Sequence, residues 1–427
     1  MTTIVLFSVF FVLFAVRVPV TSAMGAACVV ALIHGGYPLS QIPRHMVSGI
    51  ESFVLLAVPF FILVGNLLNA SGATERIFRF SQAIFGWIPG AVAQVNIGAS
   101  IIFAGMSGSA LADAAGLGII EMKAMREAGY RPAFAAAVTL ASSVIGPIIP
   151  PSIVMVVYSA ATGVSTGRMF LAGIVPGLVT GLILMIYVFA VAKFRLEPGA
   201  PPTPFRVREV VSSGRHAVLP LFAPVIILGG MITGIFTPTE AGVVAALYSL
   251  ALGFAYRAFT PRRLFQVFRS TAESSASIIY LIAVSAVMGW IITVEGTARD
   301  LVELLPDTGD NPLLALLSIN IALLAIGTVI ETTAAILICS SLLLPAAQAM
   351  GLDPVHFGIV LCFNLLLGMM TPPMGVGLYV IANIGRIPVG DVLKTVIPFF
   401  VPLLIVLAII TYFPQLSLWL PNLVFGS

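Results

Sequence analysis

Two short polar turns interrupt long apolar stretches of the sequence, and they carry the side chains best suited to binding an ion. The first turn, GMSGSALAD, contains Ser107, Gly108, Ser109 and, about one helical turn further on, Asp113. Ser and Gly favour the position before a helix start, so one helix should stop here and another begin. Carbonyl oxygens at the stop suit a hard cation such as sodium, and amides at the start suit a carboxylate. The turn therefore predicts a binding site for both.

The second polar turn, GTVIETT, has the same character and contains Glu331, Thr332 and Thr333. Counting along the apolar stretch places Glu331 near the middle of a membrane, where an ionisable residue indicates function. A second interpretation stays open, in which hydroxyls and backbone amides of the same turn satisfy the carboxylate. The sequence does not decide between the two.

Two glycine-proline segments interrupt other apolar stretches. They read GPIIPP from Gly146 to Pro151 and GMMTPP from Gly368 to Pro373. Proline lacks a backbone donor, so nearby carbonyls lose their helical partners and can turn toward an ion. A single proline usually only kinks a membrane helix. A double proline after glycine, occurring twice and beside polar turns, predicts discontinuous helices of the kind that secondary transporters use.

These features recur because the chain repeats itself at a shift of 222 positions. The shift places GPIIPP on GMMTPP, Gly105 on Gly327 and Pro132 on Pro354. The two halves therefore read as copies of one ancestral unit.

The composition indicates that the repeated unit lies in a membrane. Of 427 residues, 59% are hydrophobic and 9% are charged, where soluble domains have about 45–50% and about 25%. The length allows roughly ten to twelve spans and little soluble domain. The opening stretch lacks the basic start and cleavage site of a signal peptide, so we interpret it as a retained span. A net charge of +3 is too small to indicate nucleic-acid binding.

The predicted fold is an all-α polytopic membrane protein with two inverted repeats, covering 1–200 and 216–427, joined by a cytoplasmic linker at 201–215. Each repeat has one re-entrant hairpin, near 91–127 and 312–350, and one broken helix, near 131–163 and 353–385. Residues 1–34 are predicted as two spans, with one long bent helix as the alternative. The other spans are predicted near 48–70, 168–193, 216–235, 238–257, 270–294 and 390–414.

Charge distribution predicts the orientation. Five crossings per repeat is an odd number, so the second copy must be inverted. If the linker is cytoplasmic, most basic residues outside the spans share its side, as the positive-inside rule requires, and both termini face the periplasm. The charged stretches Ala73 to Trp87 and Thr260 to Phe268 are predicted as helices on the cytoplasmic face, with ordinary loops as an equal alternative.

The sequence resembles that of the large membrane subunit of tripartite ATP-independent periplasmic (TRAP) transporters. The resemblance covers nearly the whole chain, and four segments carry it in order and at the family spacing: Glu51 to Gly72, Ser107 to Gly118, Gly146 to Gly177 and Leu352 to Val380. It implies a sodium-driven importer of organic acids in a bacterial inner membrane. It also implies an elevator mechanism, a periplasmic substrate-binding protein and a separate small four-helix membrane subunit as partners.

The resemblance also implies where the ions and the substrate bind, with sodium as the only metal and no other cofactor. The first sodium site would use Ser107, Gly108, Ser109, Gly146, Pro147 and Pro150, and the second Glu331, Thr332, Thr333, Gly368, Thr371 and Pro372. The substrate cavity would involve Ser109, Asp113, Pro151, Ser152, Thr333 and Pro373. The substrate stays open between a C4-dicarboxylate, a sugar acid and a keto acid.

Two other functions remain as alternatives. A stand-alone sodium/dicarboxylate symporter or an ion antiporter of related hairpin architecture would share most of these features. A membrane enzyme is disfavoured because the sequence contains no HExxH or GxGD motif.

Overall fold

The computed structural model describes residues 1–297, 312–372 and 375–426, and the regular elements in those ranges are helices. The first half contains α1 (Thr2–Ala15), α2 (Val20–His34), α3 (Gln41–Ile50), α4 (Ala57–Ala70), α5 (Ala73–Phe85), α6 (Ala91–Ser107), α7 (Ala110–Ala115), α8 (Leu117–Glu127), α9 (Pro132–Ser143), α10 (Ile153–Thr162) and α11 (Thr166–Lys193). The second half contains α12 (Val207–Ile232), α13 (Pro238–Ala255), α14 (Pro261–Val294), α15 (Pro312–Gly327), α16 (Thr332–Ala349), α17 (Pro354–Gly368), α18 (Val376–Gly385), α19 (Val389–Tyr412) and α20 (Gln415–Phe425).

The interruptions predicted from the sequence lie between consecutive helices. We call α6 to α8 the first hairpin and α15 with α16 the second hairpin, because the helices of each contact one another across a polar turn. We call α9 with α10 the first broken helix and α17 with α18 the second. Residues 1–34 form two helices, α1 and α2, which pack against each other.

The helix bounds repeat at the same shift as the sequence. The start of α16 at Thr332 falls on Ala110, where α7 starts, and Pro354 at the start of α17 falls on Pro132 at the start of α9. Some elements differ: α7 and α8 correspond to the single helix α16. The first half breaks at a 3-10 turn, Phe53–Leu56, between α3 and α4, whereas the second half has the continuous 34-residue α14 at that place.

The helix bounds differ from the predicted ones at four places. The stretch from Thr260 to Phe268 is not a separate surface helix but the start of α14. The Thr260 hydroxyl caps α14 by accepting a hydrogen bond from the Arg263 amide at 3.3 Å, and no proline after Pro261 interrupts the helix. Within the predicted linker 201–215, α12 already begins at Val207. The span predicted near 48–70 runs from Phe53 to Ala70, with the 3-10 turn as its first part. The last helix, α20, was not predicted.

Most helices pack in one of two groups, while α11, α19 and α20 pack on one another and on helices of the inner group. The inner group contains both hairpins and both broken helices, which interlock across the halves: α10 packs on α16, and α18 packs on α7 and α9. The outer group contains α1 to α4 and α12 to α14, which contact one another extensively. Helix α5 touches both groups, through α6 and α12.

Burial differs between the broken helices and the helices around them. Every residue of α17 from Val355 to Gly368 is buried, as is every residue of α9 from Phe134 to Ser143. By contrast, Leu178, Leu182 and Ile186 form a stripe on α11 that is 49%, 57% and 58% exposed. Such an apolar stripe suits lipid, and seven described helices are long and apolar enough to cross a membrane. The chain is a multi-pass membrane protein in which α9 and α17, the helices that lead into the two breaks, are enclosed by protein, as unpaired backbone groups at membrane depth require.

Candidate functional site

The first hairpin turn is held against the first helix break. Ser107 ends α6, Gly108 adopts a left-handed conformation (φ 62), and Ser109 precedes α7. The Gly108 carbonyl accepts a hydrogen bond from the Ile153 amide at 3.3 Å, and a Cβ atom on Gly108 would collide with the Pro151 carbonyl oxygen. Glycine is therefore needed here both for its backbone conformation and for this close approach.

Ser152 closes the first helix break. Its hydroxyl donates to the Pro147 carbonyl oxygen and accepts from the Met155 amide at 3.2 Å, which caps α10. Ser152 is completely buried. One side chain therefore joins the two sides of the break and satisfies a carbonyl that has no helical partner.

In the second hairpin turn, Glu331 caps α16. Its Oε2 accepts from the Thr333 and Ala334 amides at 2.9 and 3.1 Å, and its Oε1 accepts from the Thr333 hydroxyl at 3.0 Å. These bonds match the second interpretation of Glu331 offered by the sequence. A carboxylate has about four lone-pair sites, so the cap leaves capacity for a cation.

The second helix break is packed backbone to backbone against the second hairpin. A Cβ atom on Gly368 would overlap the backbone of Gly327. Just after the end of α17, the Thr371 hydroxyl donates to the Leu367 carbonyl, and the Thr371 carbonyl accepts from the Gly375 amide, both at 3.0 Å. Pro372 is exposed, and Pro373 lies outside the described residues.

Both hairpin turns and both helix breaks border one cavity of about 530 Å³. The inner group lines it with residues from all four segments. The outer group closes it with α2, α4 and α14. Segments that are more than 200 residues apart in the sequence therefore form one site, which the sequence alone could suggest but not establish.

Four helix starts meet at this cavity. The first residues of α7, α10, α16 and α18 line it, namely Ala110, Ile153, Thr332 and Val376. Each helix start carries a partial positive charge. The described lining residues include no Lys, Arg or His, and Glu331 is the one carboxylate among them. The arrangement suits an anionic ligand whose charge is balanced by helix starts and by small cations rather than by basic side chains.

The predicted site residues divide into two sets. Those in the cavity lining are Gly108, Ser109, Pro147, Glu331, Thr332 and Thr333. Those that are not among the lining residues are Asp113, Gly146, Pro150, Pro151, Ser152, Gly368, Thr371 and Pro372. Asp113, Pro151 and Ser152, which were predicted at the substrate cavity, are not among these lining residues. Asp113 is 4% exposed, and its carboxylate lies against Gly146.

Sequence reasoning missed most of the cavity wall that the outer group supplies. Polar residues of this wall are Thr21, Asn66, Asn69, Ser274 and Ser277. Asn66 lies on α4. Its amide donates to the Thr271 hydroxyl at 2.9 Å, which ties α4 to α14. The cluster of serines within the otherwise apolar helix α14 could have indicated Ser274 and Ser277 from the sequence.

A ligand cavity enclosed by two hairpins and two discontinuous helices, in a multi-pass helical protein, defines a secondary transporter. Residues 7–416 match the family model described as "Tripartite ATP-independent periplasmic transporter, DctM component". The chain belongs to this family, whose members are the large membrane subunits of TRAP transporters. The match favours this class over a stand-alone symporter, an ion antiporter or an enzyme.

Known proteins resemble the chain along most of its length. The sialic acid TRAP transporter large permease protein SiaM of Vibrio cholerae is 44% identical over 384 residues, which cover 90% of each chain. The C4-dicarboxylate TRAP transporter large permease protein DctM of Pseudomonas aeruginosa is 38% identical over 373 residues, or 87% of each. Among solved structures, the YdaH transporter of Alcanivorax borkumensis superposes with a TM-score of 0.60 at 14% identity, covering 89% of this chain and 88% of its own. That likeness concerns the fold.

Proposed function

We propose that this chain is the sodium-coupled transport subunit of a three-part importer, which moves a small organic acid across the bacterial inner membrane. The observation that carries the proposal is the single cavity bordered by both hairpin turns, both breaks and four helix starts. An organic acid entering it meets partial positive charges and no basic side chain among the described lining residues. Sodium ions supply the remaining positive charge.

The two sodium ions are proposed to bind where each hairpin turn meets its broken helix. In the first half, Gly108 and Pro147 lie on the cavity side of this junction. In the second half, the Glu331 carboxylate is the charged ligand, and Thr332 and Thr333 lie beside it. Each net charge crossing about 100 mV supplies roughly 2.3 kcal/mol, which is enough for about fiftyfold accumulation.

We infer an elevator mechanism from the composition of the cavity. The inner group provides the ion and substrate contacts, and the outer group provides the opposing wall through Asn66, Ser274 and Ser277. A sliding inner group would carry the bound ligand past this wall. Helix α5, which touches both groups, would brace them during the movement. The distribution of basic residues favours a cytoplasmic linker and periplasmic termini.

The partners are proposed from the family. The substrate would arrive from a periplasmic binding protein, and a small four-helix membrane subunit would complete the complex. The relatives named above transport sialic acid and C4-dicarboxylates, so a sugar acid and a dicarboxylate are the first candidates to test. A keto acid is the third.

Uptake by the reconstituted three-part complex tests the proposal. Proteoliposomes receive a labelled organic acid, the binding protein and an inward gradient of sodium or of potassium. We expect accumulation with sodium only. Equal uptake with potassium would refute sodium coupling.

A pair of variants tests the cavity. Ser277→Trp fills the cavity from α14, whereas Leu182→Trp places the same side chain on the lipid-facing stripe of α11. Ser277→Trp should reduce uptake by about tenfold or more, because a side chain that excludes the substrate should weaken its binding by more than about 1.4 kcal/mol, which corresponds to a factor of ten. Leu182→Trp should leave uptake unchanged. Equal uptake by both variants would place the transport route elsewhere.

A further inference from the structure

Two carboxylates lie buried inside the first hairpin, behind its turn and outside the cavity lining. Asp113 on α7 is 4% exposed and Glu121 on α8 is 1% exposed. They are close enough to interact electrostatically, and Ser100 on α6 is placed to donate a hydrogen bond to Glu121. Neither the turns nor the breaks of the proposed transport site use Glu121.

A network of neutral polar side chains adjoins this pair through Ser100. The Asn96 amide donates to the Thr139 hydroxyl at 2.7 Å, and the Ser142 hydroxyl donates to the Asn96 side-chain oxygen at 2.8 Å. The hydroxyls of Ser100 and Ser142 are 3.0 Å apart. A polar network therefore links α6 to α9 next to the two carboxylates.

The Glu121 carboxylate is not fully satisfied by this network. Its Oε1 atom is buried and has no hydrogen-bond partner. Within the described ranges, no ion pair reaches Glu121. A buried carboxylate is costly unless a positive charge compensates it, and a second carboxylate nearby raises that cost.

The second half of the chain shows that the fold does not need these acids. At the shift of 222, Asp113 falls on Ala335 and Glu121 falls on Leu343. Both residues are buried in α16, which occupies the same place in the second hairpin as α7 and α8 in the first. A hairpin of this kind is therefore built with alanine and leucine, and the two carboxylates call for a functional explanation.

We propose that Glu121 and Asp113 hold a sodium ion inside the first hairpin, at a site separate from the two hairpin turns. Ser100 and Asn96 supply neutral oxygen ligands, which suit a hard cation. The choice of sodium rests on the proposed function. Because the Asp113 carboxylate lies against Gly146 of the first break, occupancy of this site supports the break that faces the cavity.

Equilibrium binding of radioactive sodium to the purified three-part complex, in a potassium background, tests the proposal. We expect Glu121→Gln and Glu121→Leu to bind one sodium ion fewer per chain at saturation than the wild type. Glu121→Leu introduces the residue found at the equivalent position of the second hairpin. Ser100→Ala should raise the sodium concentration for half-saturation by about tenfold, as loss of a supporting ligand contact does at metal sites.

Glu127→Gln is the matched control, since Glu127 is an exposed carboxylate on the same helix that pairs with Lys123 at 3.9 Å. It should bind as much sodium as the wild type. Unchanged sodium binding in a folded Glu121→Gln complex would overturn the inference. The inference would also be overturned if this variant bound as much sodium as the wild type and differed from it only by one bound proton. If wild-type uptake needs no sodium, the proposed function fails instead.

Discussion

The two hairpin turns occupy equivalent places in the two halves but are closed in different ways. Ser109 and Glu331 coincide at the shift of 222, and each caps the helix that follows. The Ser109 hydroxyl accepts a long bond of 3.4 Å from the Ala112 amide, whereas Glu331 accepts three bonds of 2.9 to 3.1 Å. The second turn therefore combines its cap with a charge at the cavity, while the first turn depends on the contact of Gly108 with the first break.

The interiors behind the turns differ as well. Gly146 and Gly368 are equivalent, but Gly146 faces the Asp113 side chain, whereas Gly368 faces the backbone of Gly327. The first half has a polar interior, and the second half has a close backbone contact. The comparison teaches that equivalent segments of the two halves border one cavity, and that each half closes its own segments with different chemistry.

The largest difference is expected when both glycines are replaced. Gly368→Ala should destabilise the protein by about 3 kcal/mol, because two backbones must separate, and Gly146→Ala by about 1 kcal/mol, because a side chain can move. Gly229→Ala is the control, since a Cβ atom there meets nothing within 4 Å. The apparent melting temperature in detergent should fall most in Gly368→Ala, less in Gly146→Ala and least in Gly229→Ala. Equal losses for Gly368→Ala and Gly146→Ala would contradict the difference in packing.

A smaller contrast is expected at the caps. Glu331→Ala should cost about 2 kcal/mol, since it removes charge-assisted bonds to two amides, whereas Ser109→Ala should cost about 0.5 kcal/mol. The measurement is again thermal melting, here without sodium so that ion binding does not contribute. Glu331→Gln should keep part of the cap, lose the charge and weaken sodium activation of uptake. Unaltered sodium activation in Glu331→Gln would remove Glu331 from the proposed second site.

The smallest contrast concerns the starts of the two broken helices, where Arg131 and Asp353 coincide at the same shift. The Arg131 guanidinium forms an ion pair with Glu197, whose side chain is 2% exposed. The Asp353 carboxylate instead caps its own helix through the Val355 amide at 2.7 Å. Each substitution to Ala should cost about 1 kcal/mol.

Rescue separates the two cases. Glu197→Gln should recover part of the stability lost in Arg131→Ala, because it removes a buried charge that has lost its counter-ion and keeps only the bond from the backbone amide of residue 131. The same change should not rescue Asp353→Ala. Melting of the four variants provides the measurement, and rescue of both or of neither would contradict the assigned contacts.

The sequence predicted the interruptions well because their causes are local. Glycine and proline at Gly146 to Pro151, and a polar turn at Ser107 to Ser109, end a helix wherever the chain folds. The shift of 222 then located the equivalent segments of the second half. The Thr260 stretch misled because charges and aromatic residues suggest a surface helix, yet nothing between Pro261 and Val294 ends the helix.

Side-chain placement could not be predicted in the same way. Whether Asp113 points to the cavity or into the hairpin depends on how α7 packs against α9, which spacing along the chain does not specify. Ser274 and Ser277 line the cavity because α14 lies opposite the hairpin turns. This packing joins segments that are distant in the sequence, so local patterns do not predict it. The buried position of Glu121 likewise follows only from the packing of α8 against α6 and α9.

Thiol protection at one position in each half tests most directly whether both halves form one site. Ala112 on α7 and Val376 on α18 are both exposed and both line the cavity. Ala112→Cys and Val376→Cys would each be labelled with a hydrophilic thiol reagent, with Glu127→Cys at the exposed end of α8 as the control; the three described native cysteines are buried. We predict that one organic acid, together with sodium, slows labelling at both cavity positions and not at the control. Protection at one position only, or equal protection in potassium, would contradict a shared sodium-dependent site.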